Sequence, residues 1–506
     1  MTKYFFLKAG LIFSLLVLLA ITIELSLIRH SYYKSLAIDN KLTEISLLAP
    51  RGRILDRKGR EIAVSVYQED DNLWKRKYPY GQAMGLISGY VNQVNEDDLK
   101  ERKCGLEFDH MDLIGRGGVE EKMDCSLRGK NGRRLIEVDA LGRYVRELGR
   151  EEPVSGQNLT LSLDAYWQEQ AFQLLNGRKA VLLVSNPKTG EVLVMASSPS
   201  FDPNNFSFNK NDIAVNNYLR DDSNFPLLNR AIAGRYHPGS VFKPVLAVAG
   251  LESGVISGET TFEDTGFIRV GDYTYSNWLW LKERRTEGQV NVVKALQRSN
   301  DVFFYKLGEK LGVDQIKQWA VRFGYGLKTG IELPGELAGI VPDAQWKKET
   351  KGETWFLGNT YHLSIGQGDL SVTPLQINQM TNIIANDGIK CPMTILALPE
   401  NEKRSRNEVL GIKKQTLTLV KEGMKRACQK GGTGWPLFGM KTEVACKTGT
   451  AEVGDGTNDT HAWMTAFAPA DNPEISITVI VERGGEGSDI AGPIVKDFLE
   501  KWFENN

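Results

Sequence analysis

The stretch "YFFLKAGLIFSLLVLLAITIELSLI", from Tyr4 to Ile28, is apolar apart from Lys8, Glu24 and a few hydroxyls. A helix of about 20 such residues covers the hydrocarbon core of a bilayer, so this run ties the whole chain to a membrane-anchored architecture. Lys8 and Glu24 lie near its two ends, where long side chains reach the headgroups. A cleaved export signal would carry a shorter apolar core and a small-residue cleavage site, and "LAITIEL" is a poor one. The run therefore reads as an uncleaved single-pass anchor. Lys3 and Lys8 flank one side and Arg29 and Lys34 the other, so charge bias does not set its orientation. No second span follows, which places everything after residue 30 on one side of the membrane.

The 506 residues are long enough for two or three domains. A formal net charge of -1 gives no reason to expect a nucleic-acid partner. The chain lacks CxxC and HExxH strings, so neither a metal site nor a cofactor has sequence support. Five cysteines leave at least one unpaired within the chain. After the anchor (residues 1–30), residues 31–155 read as a β-rich unit. It opens on a helix or linker to Pro50, and a hairpin follows whose turn is bracketed by Asp56 and Gly59. "GRGGVEEKMD" and "LRGKNGRRLIEVDALGR" read as short strands joined by glycine turns, and "REEPVSGQN" (150–158) as a polar boundary.

Residues 156–506 have a different character. "AYWQEQAFQLLNG" has helical spacing, and "KAVLLVSNPKTGEVLVMAS" is a hairpin around a Pro-x-x-Gly turn. "SVFKPVLAVAGLESG" and "VNVVKALQRSNDVFFYKLGEKLG" read as helices. Near the end "THAWMTAFAPADNPEISITVIVERGG" is a second hairpin, and "AGPIVKDFLEKWFENN" a last helix. The order predicts an α+β fold in which the first and last segments complete one antiparallel sheet flanked by helices.

Chemistry enters through a serine one helical turn ahead of a lysine. Ser-x-x-Lys occurs at Ser31, Ser185, Ser207 and Ser240, and Lys-Thr-Gly at Lys188, Lys328 and Lys447. Ser31 lies beside the anchor, Ser185 and Lys188 in a hairpin turn, Ser207 in an Asn-rich loop, and Lys328 between Gly and Pro. Only Ser240, in "YHPGSVFKP", follows Pro-Gly and opens an apolar-periodic helix. Residues i and i+3 share a helix face, so Ser240 and Lys243 can meet. Pro244 fits there, because the first helical N–H groups have no partner within the helix. Lys447 lies in "VACKTGTAEV", a strand-like run whose Gly449 allows close approach. Between them lies "QRSNDVFF". Taken alone, Ser299 and Asp301 read as helix-start caps, and so does Ser240. The three motifs in this order form the set tied to penicillin-interacting acyl transfer.

With those motifs in place, the chain resembles the class B, monofunctional penicillin-binding proteins, which are peptidoglycan D,D-transpeptidases. "RGRILDRKGREIA", "GVEEKMD" and "LRG" resemble the family's pedestal signatures, and "YPYGQAMGLISGYV" its N-terminal region. "SNPKTGEVLVMASSPSFDPN", "HPGSVFKP", "SIGQGDLSVTPLQ", "KTGTAE" and "AWMTAFAP" resemble its transpeptidase domain. Within the family the elongation type is favoured over the division type. The resemblance implies a penicillin-binding, serine β-lactamase-like catalytic fold, with Ser240 as acyl nucleophile, Lys243 as its base and Ser299 as a proton relay. Lys447 would be catalytic too, supplying a second cation beside Lys243 and drawing the substrate carboxylate, while Asp301, Thr448, Gly449 and Thr450 would hold the substrate, with the backbone N–H groups of Ser240 and Thr450 as the oxyanion hole. A lysine of ordinary pKa about 10.4 must fall by roughly 3 units to act near neutrality, and burial with a second cation is the available means.

The same resemblance implies stem peptides and β-lactams as ligands, and a membrane glycosyltransferase of the elongation or division machinery as partner. It places the bulk of the chain outside the cytoplasmic membrane, in the periplasmic or extracellular space. In that oxidising compartment Cys104 with Cys125, or Cys428 with Cys446, could pair, and sequence decides neither. Two positions depart from the family pattern: Asp301 stands where asparagine is usual, and Cys446 where glycine is usual. His237 reads as structural, and "SIGQG" (364–368) as a turn shaping the pocket wall. The rival readings are a serine β-lactamase or β-lactam sensor, which lack the pedestal, and a catalytically silent cell-wall scaffold.

Overall fold

The computed structural model describes residues 2–39, 41–69, 73–100, 108, 111–139, 141–207, 210–399, 402 and 405–505. Its first helix runs Thr2–Ile23 and continues through a wider turn, Glu24–Ile28, into a second helix, His30–Asp39. Residues Tyr4–Ile28 have a mean hydropathy of 2.6 and pack against nothing, which makes this segment long and apolar enough to cross a membrane.

In the unit that follows, Leu42–Leu47 pairs with Gly132–Val138, which in turn pairs with Tyr144–Glu151 across the Asp139–Arg143 turn. The expected hairpin at Asp56 is present: Asp56 Oδ1 accepts the N–H groups of Lys58 and Arg60 and closes the turn. "GRGGVEEKMD" is not a strand pair. Leu113–Arg116 is a strand, but Gly118–Lys122 is a helix that carries Glu120 into the interior. There Glu120 takes Arg51 at 2.8 Å and Arg76 at 2.7 Å, while Asp124 takes Arg51 at 2.9 Å and Arg128 at 2.6 Å. All five side chains are nearly inaccessible, so a buried ion cluster joins the three segments that carry the pedestal-like motifs.

Residues 156–160, at the expected boundary, are hydrogen-bonded to the preceding unit. Gln157 N donates to Ser126 O, Gly156 N donates to Pro50 O, and Leu159–Thr160 adds parallel to Ile54–Leu55. Gly52 has no room for a side chain, since a Cβ there would lie 1.8 Å from Gln157 O. Asp56 and Arg60 then reach into the next unit. Asp56 Oδ2 accepts Ala165 N at 3.0 Å, and Arg60 pairs with Asp164, the residue that caps the helix beginning at Ala165.

The C-terminal unit is a five-stranded antiparallel sheet between two helical layers. We number its strands β1 (Ala180–Ser185), β2 (Val192–Ser198), β3 (Ala445–Glu452), β4 (Thr460–Ala468) and β5 (Ile475–Val481), in the spatial order β2-β1-β5-β4-β3. Its helices are α1 (Ala165–Leu175), α2 (Lys243–Glu252), α3 (Val292–Arg298), α4 (Asp301–Arg322), α5 (Pro374–Ala385), α6 (Lys414–Ala427) and α7 (Gly492–Asn505). Every residue of β1 is buried, because Ala180, Leu182 and Val184 meet the layer of α1 and α7 while Val181 and Leu183 meet that of α2, α4 and α5. This continuous apolar run follows from burial on both faces.

Helix α5 is buried along all 12 residues. Its polar members are matched to the sheet: Asn378 bonds Ser185, Ser476 and Thr478, and Thr381 bonds Thr465 at 2.6 Å. Such pairing is what allows polar groups so deep in the interior. The expected antiparallel sheet flanked by helices is thus present, completed by hairpins from the two ends of the unit.

Candidate active site

Ser240 lies in a short 3-10 turn, Gly239–Phe242, that runs straight into α2. In such a turn residues i and i+3 lie one above the other, which puts Lys243 directly beneath Ser240. Pro244 falls in the first helical turn, as expected. Three glycines let the backbone converge here. A Cβ on Gly449 of β3 would lie 3.0 Å from Val241 Cγ1 and 3.1 Å from Pro238 O. Gly239 N donates to Gly366 O at 2.9 Å, and a Cβ on Gly366 would meet Gly239 O at 2.1 Å. The "SIGQG" turn therefore forms the wall under the serine. His237 is structural: Nδ1 is 2.7 Å from Leu370 O, and its carbonyl accepts the Trp463 indole N–H.

Ser299 ends α3 in the left-handed region, at φ 53°. That is uncommon for a residue with a side chain and is the kind of local strain found at functional sites. The conformation directs both its carbonyl and its hydroxyl to the two lysines. The helix-start cap of α4 is Asn300, whose Oδ1 accepts Phe303 N; Ser299 and Asp301 do not cap it.

Lys243 and Lys447 are both wholly buried. Lys243 Nζ donates to Asp301 Oδ1 at 2.6 Å, Ser299 O at 2.8 Å and Ser299 Oγ at 3.3 Å. None of these bonds goes to Ser240. Lys447 Nζ donates to Ser299 Oγ at 2.9 Å and Thr448 O at 2.9 Å. The Ser299 hydroxyl thus touches both amines. Burial lowers Lys243 below its ordinary value against the opposing pull of Asp301. Burial, together with the charge of Lys243, holds Lys447 well below its ordinary value. Two ammonium groups sealed in one pocket with a single carboxylate cannot both be comfortable, and one of the two amines is driven toward neutrality.

Asp301 is no isolated carboxylate. Its Oδ2 accepts Trp278 N at 3.0 Å, and its own N–H bonds Asn277 Oδ1. Asn277 and Asn300 both donate to Asp264 Oδ2 at 2.9 Å, so the excursion 262–290 is pinned beneath the site. Thr448 Oγ1 donates to Thr433 at 2.8 Å, and Thr450 Oγ1 accepts Gly487 N at 3.4 Å. Cys446 is bonded to Cys428 at the end of α6, across a sequence separation of 18. Cys391 is a free, buried thiol, and Cys104 lies outside the described residues.

Lys243, Ser299, Asp301 and Lys447 therefore share one buried hydrogen-bond network, and the turn that carries Ser240 packs against the Lys447–Thr450 strand at Gly449. Sequence reasoning missed Trp278, Asn277, Asp264 and Thr433. Their only sequence signals were a buried-type Asp-Thr-Gly turn at 264–266 and a Gly-Gly-Thr-Gly run at 431–434, neither of which points to a distant lysine.

A serine backed by two buried lysines, at the edge of an antiparallel sheet, defines a serine acyltransferase of the penicillin-interacting class. The chain belongs to the family described as "Penicillin binding protein transpeptidase domain", matched over residues 180–500, and the "Penicillin-binding Protein dimerisation domain" matches residues 67–161. It is a peptidoglycan D,D-transpeptidase of elongation-type affinity. It is 35% identical over 460 residues to the peptidoglycan D,D-transpeptidase MrdA of Acinetobacter baumannii, covering 85% of this chain and 66% of that protein. With MrdA of Escherichia coli K12 it shares 32% identity over 501 residues, covering 93% of this chain and 77% of the relative. The fold is similar to PBP2 in its complex with MreC from Helicobacter pylori, with a TM-score of 0.79, 27% identity and coverage of 92% and 99% of the two chains. It is also similar to a chain of a peptidoglycan synthase complex described as coordinating polymerization and crosslinking, with a TM-score of 0.80, 26% identity and coverage of 100% and 99%.

Proposed function

We infer that Ser240 attacks the carbonyl of the penultimate D-Ala of a stem peptide, releases the terminal D-Ala, and passes the acyl group to an amine of a neighbouring stem. The observation that carries this is the Ser299 hydroxyl held between two buried lysine amines, one of them on the residue one turn after Ser240. In this reading Lys243 takes the Ser240 proton and Ser299 returns a proton to the leaving amine. Lys447 with Thr448 and Thr450 receives the terminal carboxylate, and Gly449, a substrate-strand residue, lets the turn that carries Ser240 pack against β3. Asp301 lines the same cleft. The N–H groups of Ser240 and Thr450 face the developing oxyanion, and each such donor is typically worth about 3 kcal/mol.

Residues 1–30 act as the membrane anchor, 31–155 as the pedestal and 156–506 as the catalytic unit. The bulk of the chain then lies outside the cytoplasmic membrane, where its substrate is. A membrane glycosyltransferase supplies the glycan strand, docking through anchor and pedestal, and an MreC-like protein is a second partner by similarity to the Helicobacter pylori complex. Mass spectrometry after labelled penicillin tests the reading. The expected result is one adduct on Ser240 in the wild type and none in Ser240→Ala or Lys243→Ala. An unlabelled wild type would instead favour a silent scaffold, and rapid release of the adduct a β-lactamase.

A further inference from the structure

The two amines differ in how many hydrogen bonds they make. An ammonium has three N–H donors, whereas a neutral amine has two and a lone pair. Lys243 Nζ makes three bonds, to Asp301 Oδ1, Ser299 O and Ser299 Oγ. Lys447 Nζ has two partners, Thr448 O, which accepts from it, and Ser299 Oγ, whose hydroxyl can donate to the lone pair of a neutral amine. Asp301 uses each oxygen once, on Lys243 and on Trp278 N, as an acceptor-only carboxylate does. It is placed there firmly, because Asn277, Asn300 and Asp264 hold the backbone on either side of it.

We propose that Asp301 is a positioning residue that stores the site's one proton on Lys243, and that an anionic substrate draws this proton across the Ser299 hydroxyl to Lys447, leaving Lys243 free to deprotonate Ser240. The step balances. Lys243 gives a proton to Ser299 Oγ as the Ser299 hydroxyl gives its own to Lys447, so one ammonium and one amine exchange places and Ser299 is unchanged. The terminal carboxylate at Lys447, Thr448 and Thr450 stabilises the new ammonium, replacing what Asp301 did for the old one. Binding of the correct ligand thus arms the nucleophile. This inference rests on the acyl-transfer reading above and adds to it the resting place of the proton.

The charged group acting on Lys243 is Asp301 from α4, and those acting on Lys447 are Lys243 from α2 and Asp301. The Phe304 ring lies 5.4 Å from Lys243 Nζ and adds no titrating group; Tyr305 next to it is held protonated, well above its ordinary range, by burial and by the negative charge of Asp301. Burial lowers both lysines. Removing the carboxylate lets both fall further, because Asp301 favours the charged form of each.

The test is the second-order rate of acylation by a fluorescent penicillin, measured on the full chain from pH 5 to 10.5. It is measured for wild type, Asp301→Asn, Asp301→Ser and Asp301→Glu, with folding checked by thermal melting. The wild type should give a bell, because the pair must hold one proton, neither two nor none. In Asp301→Asn both limbs should move toward acid by about one pH unit or more, so that at the foot of the wild-type acid limb the variant retains at least about tenfold more of its own plateau rate. Asp301→Glu should restore the wild-type limbs. Asp301→Ser serves if the amide variant does not fold. Limbs that stay in place while the rate falls evenly at all pH overturn the proposal, and so does a wild-type profile without an alkaline limb. Failure of the acyl-transfer reading looks different: the wild type then carries no adduct on Ser240 at any pH.

Discussion

Two of the places where the molecule buries charge are built differently. In the pedestal, Arg51, Arg76 and Arg128 face Glu120 and Asp124. In the catalytic cleft, Lys243 and Lys447 face Asp301 alone. Arginine stays charged at any working pH and its fork matches a carboxylate with paired bonds, so the pedestal cluster has one protonation state and one geometry. Burial pushes Glu120 up, but Arg76 and Arg51 hold it below the usual carboxylate range. A buried lysine gives up its proton far more readily. With two cations to one anion, the cleft holds a proton it can move. Arginine, which keeps its proton, makes a fixed joint with its acids, whereas lysine with a deficit of acid makes a reactive one.

The largest break in that contrast should come from Lys243→Arg. It keeps the charge and removes the titratable amine, so penicillin acylation should fall by roughly 10^3- to 10^4-fold with the fold intact, read by adduct formation and circular dichroism. The mirror change in the pedestal is Glu120→Ala. Stranding Arg76, with Arg51 left to Asp124 alone, should cost about 3 to 5 kcal/mol, seen in denaturant unfolding, with no change in the shape of the acylation pH profile. A profile that shifted would mean the two clusters are coupled.

The remaining effects are smaller. Cys446→Ser opens the bridge to Cys428, whose loop should be worth about 3 kcal/mol on a chain-entropy view, and it frees the strand that carries Lys447. The readout is the same unfolding titration, with and without reductant; reductant should reproduce the variant's loss in the wild type. Lys447→Met sharpens the comparison through pH. Lys447 titrates lower in the folded chain than in the unfolded one, so between those two values the unfolded chain holds more protons and stability rises with pH. The wild type should therefore gain on Lys447→Met as pH rises toward 10, by at most about 1.4 kcal/mol per unit, measured by paired melting curves. No pedestal arginine variant should show this slope.

Much of this was legible in the residues themselves. The apolar run, the two hairpins that complete the sheet, Ser240 at a helix start and Lys447 on a glycine-bearing strand all follow from local pattern. Proline and glycine also fix the backbone context that sets Ser240 apart from the other three Ser-x-x-Lys sites. What did not follow needed contacts distant in sequence. Residues 115–124 read as short strands joined by glycine turns, yet 118–122 is a helix that carries Glu120 to Arg51 and Arg76. Asp301 looked like a replaced amide donor, and its role as the counter-charge of Lys243 appears only when α4 and α2 are packed. Likewise Trp278, at the start of the short helix Trp278–Glu283, lends Asp301 a backbone N–H that no side-chain motif could announce.

The bond between Arg60 and Asp164, beside that of Asp56 to Ala165 N, has a practical side. The catalytic half borrows the first contacts of its opening helix from the hairpin before it. A fragment cut at residue 156 would therefore leave an amide without its acceptor and an inaccessible acid without its guanidinium. A water-soluble form suited to inhibitor screening should instead start between the apolar segment and Arg51, so that both halves travel together.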